Sequence, residues 1–148
     1  MPRVSVRVVA ICESEILLAK YRDNEDDWYV TLGGGVETGE TLEEAFHREL
    51  SEELNTKAAF GRILMMREVI ADRLHHTNLP QGFHQLEIFV ETRIERSTHL
   101  ETVQPDPGQI GLEWLPLNQL NEIRFYPASL KSAIADQKWD RFYYGNIA

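Results

Sequence analysis

Three glutamates of this chain have the spacing of a metal-binding cluster. Glu49, Glu52 and Glu53 stand at positions i, i+3 and i+4, which share one flank of a helix. Like charges at this spacing repel by roughly a few tenths of a kcal/mol per pair, and partial burial would raise the pKa of one of them. A hard divalent cation such as Mg²⁺ or Mn²⁺ removes the conflict because it prefers oxygen ligands. The alternative is a solvated acidic face, which is what charge runs usually mark.

The helix that must carry these glutamates is well delimited in the sequence. Thr41 and Glu44 form the pattern of a capping box, and Asn55 suits the end because asparagine tolerates the left-handed conformation. Apolar residues recur along it and predict a buried stripe: Leu42, Ala45, Phe46, Leu50 and Leu54. Glu49 and Glu53 fall on the edge of this stripe and the third glutamate lies just beyond it. The carboxylates are therefore expected to be partly sheltered from water.

Two neighbours of the cluster favour a ligand site over a solvated face. Arg48 can reach back toward Glu40, or can orient Glu49 or Glu52, through a charge-assisted hydrogen bond. Three glycines at residues 33–35 expose backbone N–H and C=O groups that a side chain would cover. Together these features predict a ligand cradle.

The order of these residues resembles the signature box of the Nudix hydrolases, which cleave nucleoside diphosphates linked to another group. The fixed positions of the box, over twenty residues, are Gly34, Glu40 and the run Arg48-Glu49-Leu50-Ser51-Glu52-Glu53. The chain departs from the family pattern at Asn55 and Thr56, where a glycine and an aliphatic residue are usual, and at Leu32, where proline is common. These departures affect the helix end and the turn more than the chemistry.

The resemblance implies a role for each residue of the box. Divalent metals would be held by the carboxylates and by a backbone carbonyl of the glycines, a set comprising Glu49, Glu52, Glu53 and Gly33 or Gly34. Glu52 or Glu53 would deprotonate the attacking water, and Arg48 with Glu40 would brace the site. Metal ions neutralise the charge of a pyrophosphate and lower the pKa of a bound water. Hydrolysis of the linkage then needs little beyond positioning and charge stabilisation.

Many members of the family also use one acid outside the box as a ligand or base. The candidates here are Glu87, Glu101 and Glu113, and the sequence does not choose among them. The loop at residues 73–83 has the length of a lid or specificity loop. Its pair His75 and His76 is weak evidence for a metal site because no cysteine partner is near.

Several charged residues before the box carry weaker signals. Arg7, Lys20 and Arg22 could meet substrate phosphates, although ordinary surface charge is the favoured interpretation. Residues 23–27 are dense in acids but lack the glycine and the glutamate that a calcium loop requires at its sixth and twelfth positions. A solvated connection is therefore predicted there.

The remaining pattern predicts a mixed sheet and a second helix. Apolar runs, alternating or continuous, predict strands over residues 4–11, 16–21, 28–32, 58–72, 84–94 and 109–115. Pro127 opens a helix predicted over residues 127–137, and the aromatic tail after it is expected to pack back on the body. With the resemblance, these elements imply an α/β fold, a Nudix-type α/β/α sandwich with a mixed β-sheet between helices.

Length and composition limit the classes of protein. With 148 residues, of which 43% are hydrophobic and 26% charged, the chain is expected to form a single domain over residues 1–148. The net charge of −9 argues against a long nucleic acid held by its phosphates. The single cysteine, Cys12, cannot form an internal disulfide. No signal peptide or membrane-spanning run is evident, which predicts a cytoplasmic protein without a membrane partner.

The sequence therefore predicts a Mg²⁺- or Mn²⁺-dependent pyrophosphohydrolase. Water would attack phosphorus in a nucleoside triphosphate or a nucleoside diphosphate derivative, a small-molecule substrate that the loops do not identify. The alternative is a catalytically inactive Nudix-like module that binds or senses a nucleotide, although all three box carboxylates are present. A homodimer is a further expectation, from the family and from the apolar N-terminal hairpin.

Overall fold

The sheet that carries the glycine segment is built from strands rich in β-branched and aromatic residues. The computed structural model describes residues 1–24, 26–75 and 77–148. Within these residues the strands are β1 (Arg3–Cys12), β2 (Glu15–Arg22), β3 (Asp27–Val30), β4 (Leu32–Gly35), β5 (Ile63–Ile70), β6 (His84–Thr92), β7 (Gln109–Pro116), β8 (Phe125–Tyr126) and β9 (Tyr143–Asn146). The helices are α1 (Leu42–Leu54) and α2 (Lys131–Ala135), with 3₁₀ segments at Ala71–Arg73, Leu117–Glu122 and Ala128–Leu130. Glu25 of the acidic connection and His76 of the histidine pair lie outside the described residues.

The sheet is mixed, and two of its strands change partners along their length. β1 pairs antiparallel with β2 through residues 10–12 and antiparallel with β4 through residues 5–8. β2 pairs with β1 through residues 15–17 and with β3 through residues 19–22, while β7 pairs with its other edge. From β1 the sheet continues through parallel β6, antiparallel β5 and parallel β9, while β8 lies beside β3 at the opposite edge. The three glycines of β4 are thereby held against the middle of β1.

Helices lie over two separate buried clusters of this sheet. Helix α1 packs on one cluster, which includes Val6, Val8, Phe46, Leu50 and Leu54. Helix α2 packs on the other, which includes Val9, Phe89, Leu120, Phe125 and Ile134. Since Val8 and Val9 point to opposite faces of β1, helices cover both faces and the predicted α/β fold is confirmed. Among the described residues, no helix is both long and apolar enough to cross a membrane.

The observed elements differ from the predicted ones mainly where local propensity is weak. The strand predicted over residues 28–32 is interrupted at Thr31, and β4 continues through glycines, which have low strand propensity. The helix predicted over residues 127–137 is shorter, because a 3₁₀ turn precedes α2 and Gln137 takes a left-handed conformation with φ of 50°. The aromatic tail does pack on the body, where it forms β9 beside β5.

Candidate active site

Local capping signals fix both ends of α1 and so orient its glutamates. The Thr41 hydroxyl accepts a hydrogen bond from the Glu44 backbone N–H at 3.1 Å, and the Glu44 carboxylate accepts one from the Thr41 N–H at 2.9 Å. The bond from the Thr41 backbone lowers the pKa of Glu44. Asn55 has left-handed dihedral angles, with φ of 50°, and ends the helix. The capping box and the helix end predicted from the sequence are both present.

The three glutamates of α1 are exposed to different degrees. Phe46 and Leu50 are fully buried, and Glu49 and Glu53 share their side of the helix with only 8% and 6% of their surface exposed. The Glu52 side chain is 32% exposed. Two carboxylates are therefore embedded at the edge of the apolar stripe and the third lies nearer to water, as the helical periodicity indicates.

Burial raises the pKa of both embedded carboxyls. Burial raises the pKa of Glu53 to about 8, although the charge of Arg7 and a 2.8 Å hydrogen bond from the Gly33 N–H act in the opposite direction. Burial also raises the pKa of Glu49, against the favourable effect of the Arg48 guanidinium. A buried carboxyl of raised pKa is stabilised as an anion by any positive charge brought beside it. The site is therefore prepared for a cation.

Arg48 links the helix to the loop that precedes it. Its guanidinium forms a bidentate pair with Glu40, with Nε at 2.7 Å and Nη2 at 2.9 Å from the carboxylate oxygens, and Nη2 also donates to the Gly35 carbonyl at 2.8 Å. Nη1 donates to Glu49 at 2.9 Å and to Glu52 at 3.3 Å. The Arg48 side chain lowers the pKa of Glu40 to about 2, so this pair is fully ionised at neutral pH. One arginine thus holds two of the three box carboxylates in place.

Two glycines of β4 are closely approached by neighbouring atoms, by backbone at Gly33 and by a side chain at Gly34. Gly33 has φ of +125°, and a Cβ atom there would lie 2.0 Å from the Val6 carbonyl oxygen. A Cβ atom on Gly34 would lie 2.4 Å from Oε1 of Glu49. The Glu49 carboxylate therefore packs directly onto bare backbone, an approach that a side chain would block.

The box carboxylates border a cavity of about 220 Å³. Its lining includes the three β4 glycines, Glu49, Glu52, Glu53 and Asp106. Asp106 comes from the loop between β6 and β7, and this loop is fastened to the end of α1. The Val103 N–H donates to the Glu52 carbonyl at 2.8 Å, and the Glu101 N–H donates to the Leu54 carbonyl at 3.1 Å. Free carbonyls in the last helical turn thus hold a further carboxylate at the cavity.

The oxygen atoms that line this cavity fit a hard divalent cation, both in their negative charge and as a type of ligand. Carboxylate and carbonyl oxygens are the ligands that Mg²⁺ and Mn²⁺ prefer. In the part of the chain that the structure describes, no three Asp, Glu, His or Cys side chains are already gathered around one point. Arg48 holds Glu49 and Glu52, while the Gly33 N–H holds Glu53. Each box carboxylate is thus held by a hydrogen bond from a neighbouring arginine or backbone N–H group.

The acids suggested from outside the box lie elsewhere, and the acid that borders the cavity was not suggested. Glu113 accepts hydrogen bonds from Lys20 at 3.2 Å and from the Tyr29 hydroxyl at 3.0 Å. Glu101 is exposed, and Glu87 borders a neighbouring cavity. Asp106 instead borders the carboxylate cavity, and its carboxylate accepts a bond from Tyr21 at 3.1 Å. Its sequence context, a polar loop with prolines, carries no signal that could have selected it.

Of the three basic residues, only Arg7 borders the cavity that neighbours the box carboxylates. Lys20 pairs with Glu113 at 3.2 Å, and Arg22 pairs with Asp27 at 2.6 Å, as expected of surface charges. Arg7 lies opposite Gly33 in the β1–β4 ladder, and its guanidinium donates to the Thr31 hydroxyl at 3.2 Å and to the Thr31 carbonyl. Arg7 is therefore directed inward, and its contact with substrate phosphates stays a prediction.

Comparison with known proteins decides the family. The model of the NUDIX domain matches residues 1–136. The chain belongs to the Nudix family. The matched residues include the glutamates of α1 and the glycines of β4.

Solved structures of Nudix proteins align over most of the chain. The MutT protein from Bacillus halodurans has a TM-score of 0.72 at 16% identity, and the alignment covers 97% of this chain and 88% of that one. The MutT NUDIX hydrolase from Burkholderia pseudomallei has a TM-score of 0.65 at 25% identity, covering 93% and 98%. The E. coli dihydroneopterin triphosphate pyrophosphohydrolase has a TM-score of 0.67 at 22% identity, covering 92% and 94%.

A curated relative matches only part of this Nudix chain. The NAD-capped RNA hydrolase NudC of Photorhabdus laumondii is 49% identical over 45 residues. That stretch is 30% of this chain and 18% of the relative. The chain therefore spans less than a fifth of the length of that protein, and the similarity does not extend to the whole of it.

The raised pKa of Glu53 predicts that the metal-free Nudix chain loses stability as pH rises. The folded pKa is about 8 and the ordinary value is 4.5, so the folded state binds more protons between these two pH values. The stabilising contribution is complete below the lower value and is lost as pH rises through the higher one. We expect urea denaturation in EDTA to show a falling free energy of unfolding from about pH 5 to about pH 8.

Two controls assign this slope to the carboxylate. Glu53→Gln should reduce the slope, because an amide does not titrate, and Mn²⁺ should raise stability most at the alkaline end, where the carboxylate is ionised. A parent protein in EDTA whose stability stayed level or rose across this pH range would show that Glu53 is not buried as described.

Proposed function

We propose that this chain is a Mg²⁺- or Mn²⁺-dependent hydrolase that opens a pyrophosphate linkage by water attack on phosphorus. The substrate class is a nucleoside triphosphate or a nucleoside diphosphate derivative. One observation carries the proposal: three box carboxylates, two of them embedded with raised pKa, border one cavity beside bare glycine backbone. Family membership supports the reaction class, since Nudix hydrolases act on nucleoside diphosphate-linked substrates.

The role that we propose for each residue follows from the contacts of its side chain. Glu49, Glu52 and Glu53, with a carbonyl of Gly33 or Gly34, would hold the metal. When bound, a divalent ion would supply the positive charge that neutralises the pyrophosphate and acidifies the attacking water. Glu52 or Glu53 accepts the proton of that water. Glu52 is nearer to solvent, whereas Glu53 has a pKa closer to neutrality, so both satisfy one requirement of a general base.

Arg48 and Glu40 are the bracing pair in this scheme. The bidentate contact fixes the guanidinium, and the guanidinium then orients Glu49 and Glu52 through its remaining N–H groups. Such a brace matters because a misplacement of about 1 Å at a reacting group can lower the rate about a hundredfold.

The names of structural neighbours support cleavage of a phosphoanhydride bond, but they do not identify the substrate. They include an ADP-ribose pyrophosphatase, a UDP-X diphosphatase and a dihydroneopterin triphosphate pyrophosphohydrolase. The compounds in these names differ in the organic group but all carry a phosphoanhydride. Homodimer formation and a cytoplasmic location remain predictions from the sequence.

The proposal is tested by phosphate and pyrophosphate release from a panel of nucleotides and nucleotide sugars, with Mg²⁺, with Mn²⁺ and with EDTA. Metal-dependent cleavage of at least one compound is expected. If nothing is cleaved while nucleotides still bind, the chain is instead a Nudix-like sensor, the alternative that family membership alone leaves open.

A further inference from the structure

A second cavity adjoins the carboxylate cavity and is well suited to the organic part of a substrate. It has a volume of about 360 Å³, and it shares Gly33 and Asp106 with the lining of the carboxylate cavity. A molecule whose pyrophosphate lies against the box can therefore extend its attached group past these two residues. The volume is in the range of small-molecule sites.

Aromatic rings form one wall of this second cavity. Tyr21 and Trp28 are stacked, with ring centroids 4.5 Å apart and an interplanar angle of 18°. Trp28 also meets the edge of Tyr126, with centroids 5.7 Å apart. All three residues line the cavity. Such a wall suits a flat heterocycle, because nucleobases stack on aromatic side chains.

A buried ion pair supplies the polar part of the lining. Arg67 Nε donates to Glu87 at 2.7 Å, and both side chains are 10% exposed. Gln85 donates to the other carboxylate oxygen at 2.7 Å, and Arg67 Nη1 donates to the Ile147 carbonyl at 2.7 Å. These contacts hold both partners in fixed positions. Ile147 lies beyond residues 1–136, which the family model matches.

The ion pair offers an anionic acceptor beside a cationic donor. Burial alone would raise the pKa of Glu87, but the charges of Arg67 and Arg7 outweigh it and the pKa is lowered. The carboxylate is therefore ionised at neutral pH. The two bonds from Arg67 and Gln85 use about half of the acceptor capacity of a carboxylate. Asp106 adds a second carboxylate at the junction of the two cavities.

We infer that this cavity selects a nucleobase that bears an exocyclic amino group. Glu87 accepts a hydrogen bond from the amino group, Arg67 donates to the neighbouring ring nitrogen or carbonyl, and Trp28 with Tyr126 contacts the ring. In the same orientation, a base with a carbonyl in place of the amino group sets oxygen lone pairs against the Glu87 carboxylate. Sites built for a hydrogen bond reject analogues that cannot make it. The inference rests on the proposed function for the position of the phosphate chain, and it names the class of base.

The test compares amino-bearing nucleotides with counterparts that lack the amino group. Values of kcat/KM are measured with Mg²⁺ for ATP against ITP, GTP against ITP and CTP against UTP. In at least one pair we expect the amino-bearing member to be preferred by about tenfold or more. The inference would be overturned if no amino-bearing member were preferred by about tenfold or more in any of the three pairs.

Variants assign the preference to named side chains. Glu87→Gln should bring the preferred ratio to within about threefold, because an amide can present either a donor or an acceptor. Glu91→Gln is the matched control, since Glu91 is on the same strand and borders a different cavity, and it should leave the ratio unchanged. Tyr126→Leu should lower kcat/KM by a similar factor for both nucleotides of a pair. A Glu87→Gln protein that folds, as checked by thermal melting, and keeps the parental ratio would overturn the assignment.

Binding of nucleoside monophosphates separates failure of this inference from failure of the proposed function. Calorimetric titration with AMP, IMP, GMP, CMP and UMP needs no turnover. If no nucleotide is cleaved but an amino-bearing monophosphate binds about tenfold tighter than its counterpart, the proposed hydrolysis is wrong and the base assignment holds. If cleavage is metal-dependent but neither kcat/KM nor binding distinguishes the bases, the reaction holds and the base assignment is wrong.

Discussion

Replacing Glu53 with glutamine is expected to lower kcat by about 10²–10⁴-fold while the fold is retained. The glutamine has nearly the same shape, and its side-chain carbonyl can still accept the 2.8 Å bond from the Gly33 N–H. What is lost is the negative charge, which the proposed mechanism uses to hold a divalent ion or to accept the proton of water. Steady-state hydrolysis of the best substrate from the nucleotide panel measures the effect, and urea denaturation checks the fold.

The matched control is Glu43→Gln on the same helix. Glu43 is exposed in the first turn of α1, so the same change of charge occurs away from the cavity. Its turnover should stay within about threefold of the parent, since exposed substitutions seldom change a rigid site. Comparable activity for the Glu53 variant and the parent would show that the buried carboxylate has no part in the reaction.

Gly33→Ala is expected to destabilise the fold by about 3 kcal/mol or more. The added methyl group would lie 2.0 Å from the Val6 carbonyl oxygen, which is backbone in the centre of the sheet and cannot turn aside. The residue also has φ of +125°, a conformation that alanine avoids. Urea denaturation gives the difference in free energy of unfolding between the variant and the parent. A variant that is unfolded at room temperature would also agree with the prediction.

Gly34→Ala is the comparison that separates a collision with backbone from a collision with a side chain. Its methyl group would collide with the end of the Glu49 side chain at 2.4 Å, and that side chain can rotate. We therefore expect a smaller loss of stability than for Gly33→Ala, but a large loss of turnover because Glu49 is moved from its position. Equal stability of the two variants would contradict the described backbone contact between β4 and β1.

Helix α1 could be predicted from the sequence because its signals are local. Thr41, Glu44 and Asn55 each act within four residues, and the structure has the cap, the box and the helix end where the pattern places them. The greater burial of Glu49 and Glu53 also follows from helical periodicity. The fold class, a mixed sheet with helices on both faces, was also predicted. That prediction rested on the family resemblance as much as on the strand patterns.

Residues that join the site through long-range pairing could not be predicted. Arg7 borders the adjoining cavity because β1 changes partners and brings it opposite Gly33, a register that no local pattern specifies. Asp106 depends on hydrogen bonds between its loop and the last carbonyls of α1. The Arg67–Glu87 pair requires β5 and β6 to align, so that residues twenty positions apart face each other across the ladder.

The central claim is that the carboxylates of α1 direct water onto phosphorus, and hydrolysis in ¹⁸O-labelled water tests it most directly. Parent and Glu53→Gln proteins would be incubated with the best nucleotide substrate and Mg²⁺ or EDTA, and the products analysed by mass spectrometry. We predict one ¹⁸O atom in a phosphate or phosphoryl product of the parent with Mg²⁺, and little product with EDTA or with the variant. Intact nucleotide after prolonged incubation, or labelled product formed equally fast in EDTA or by the variant, would contradict the account.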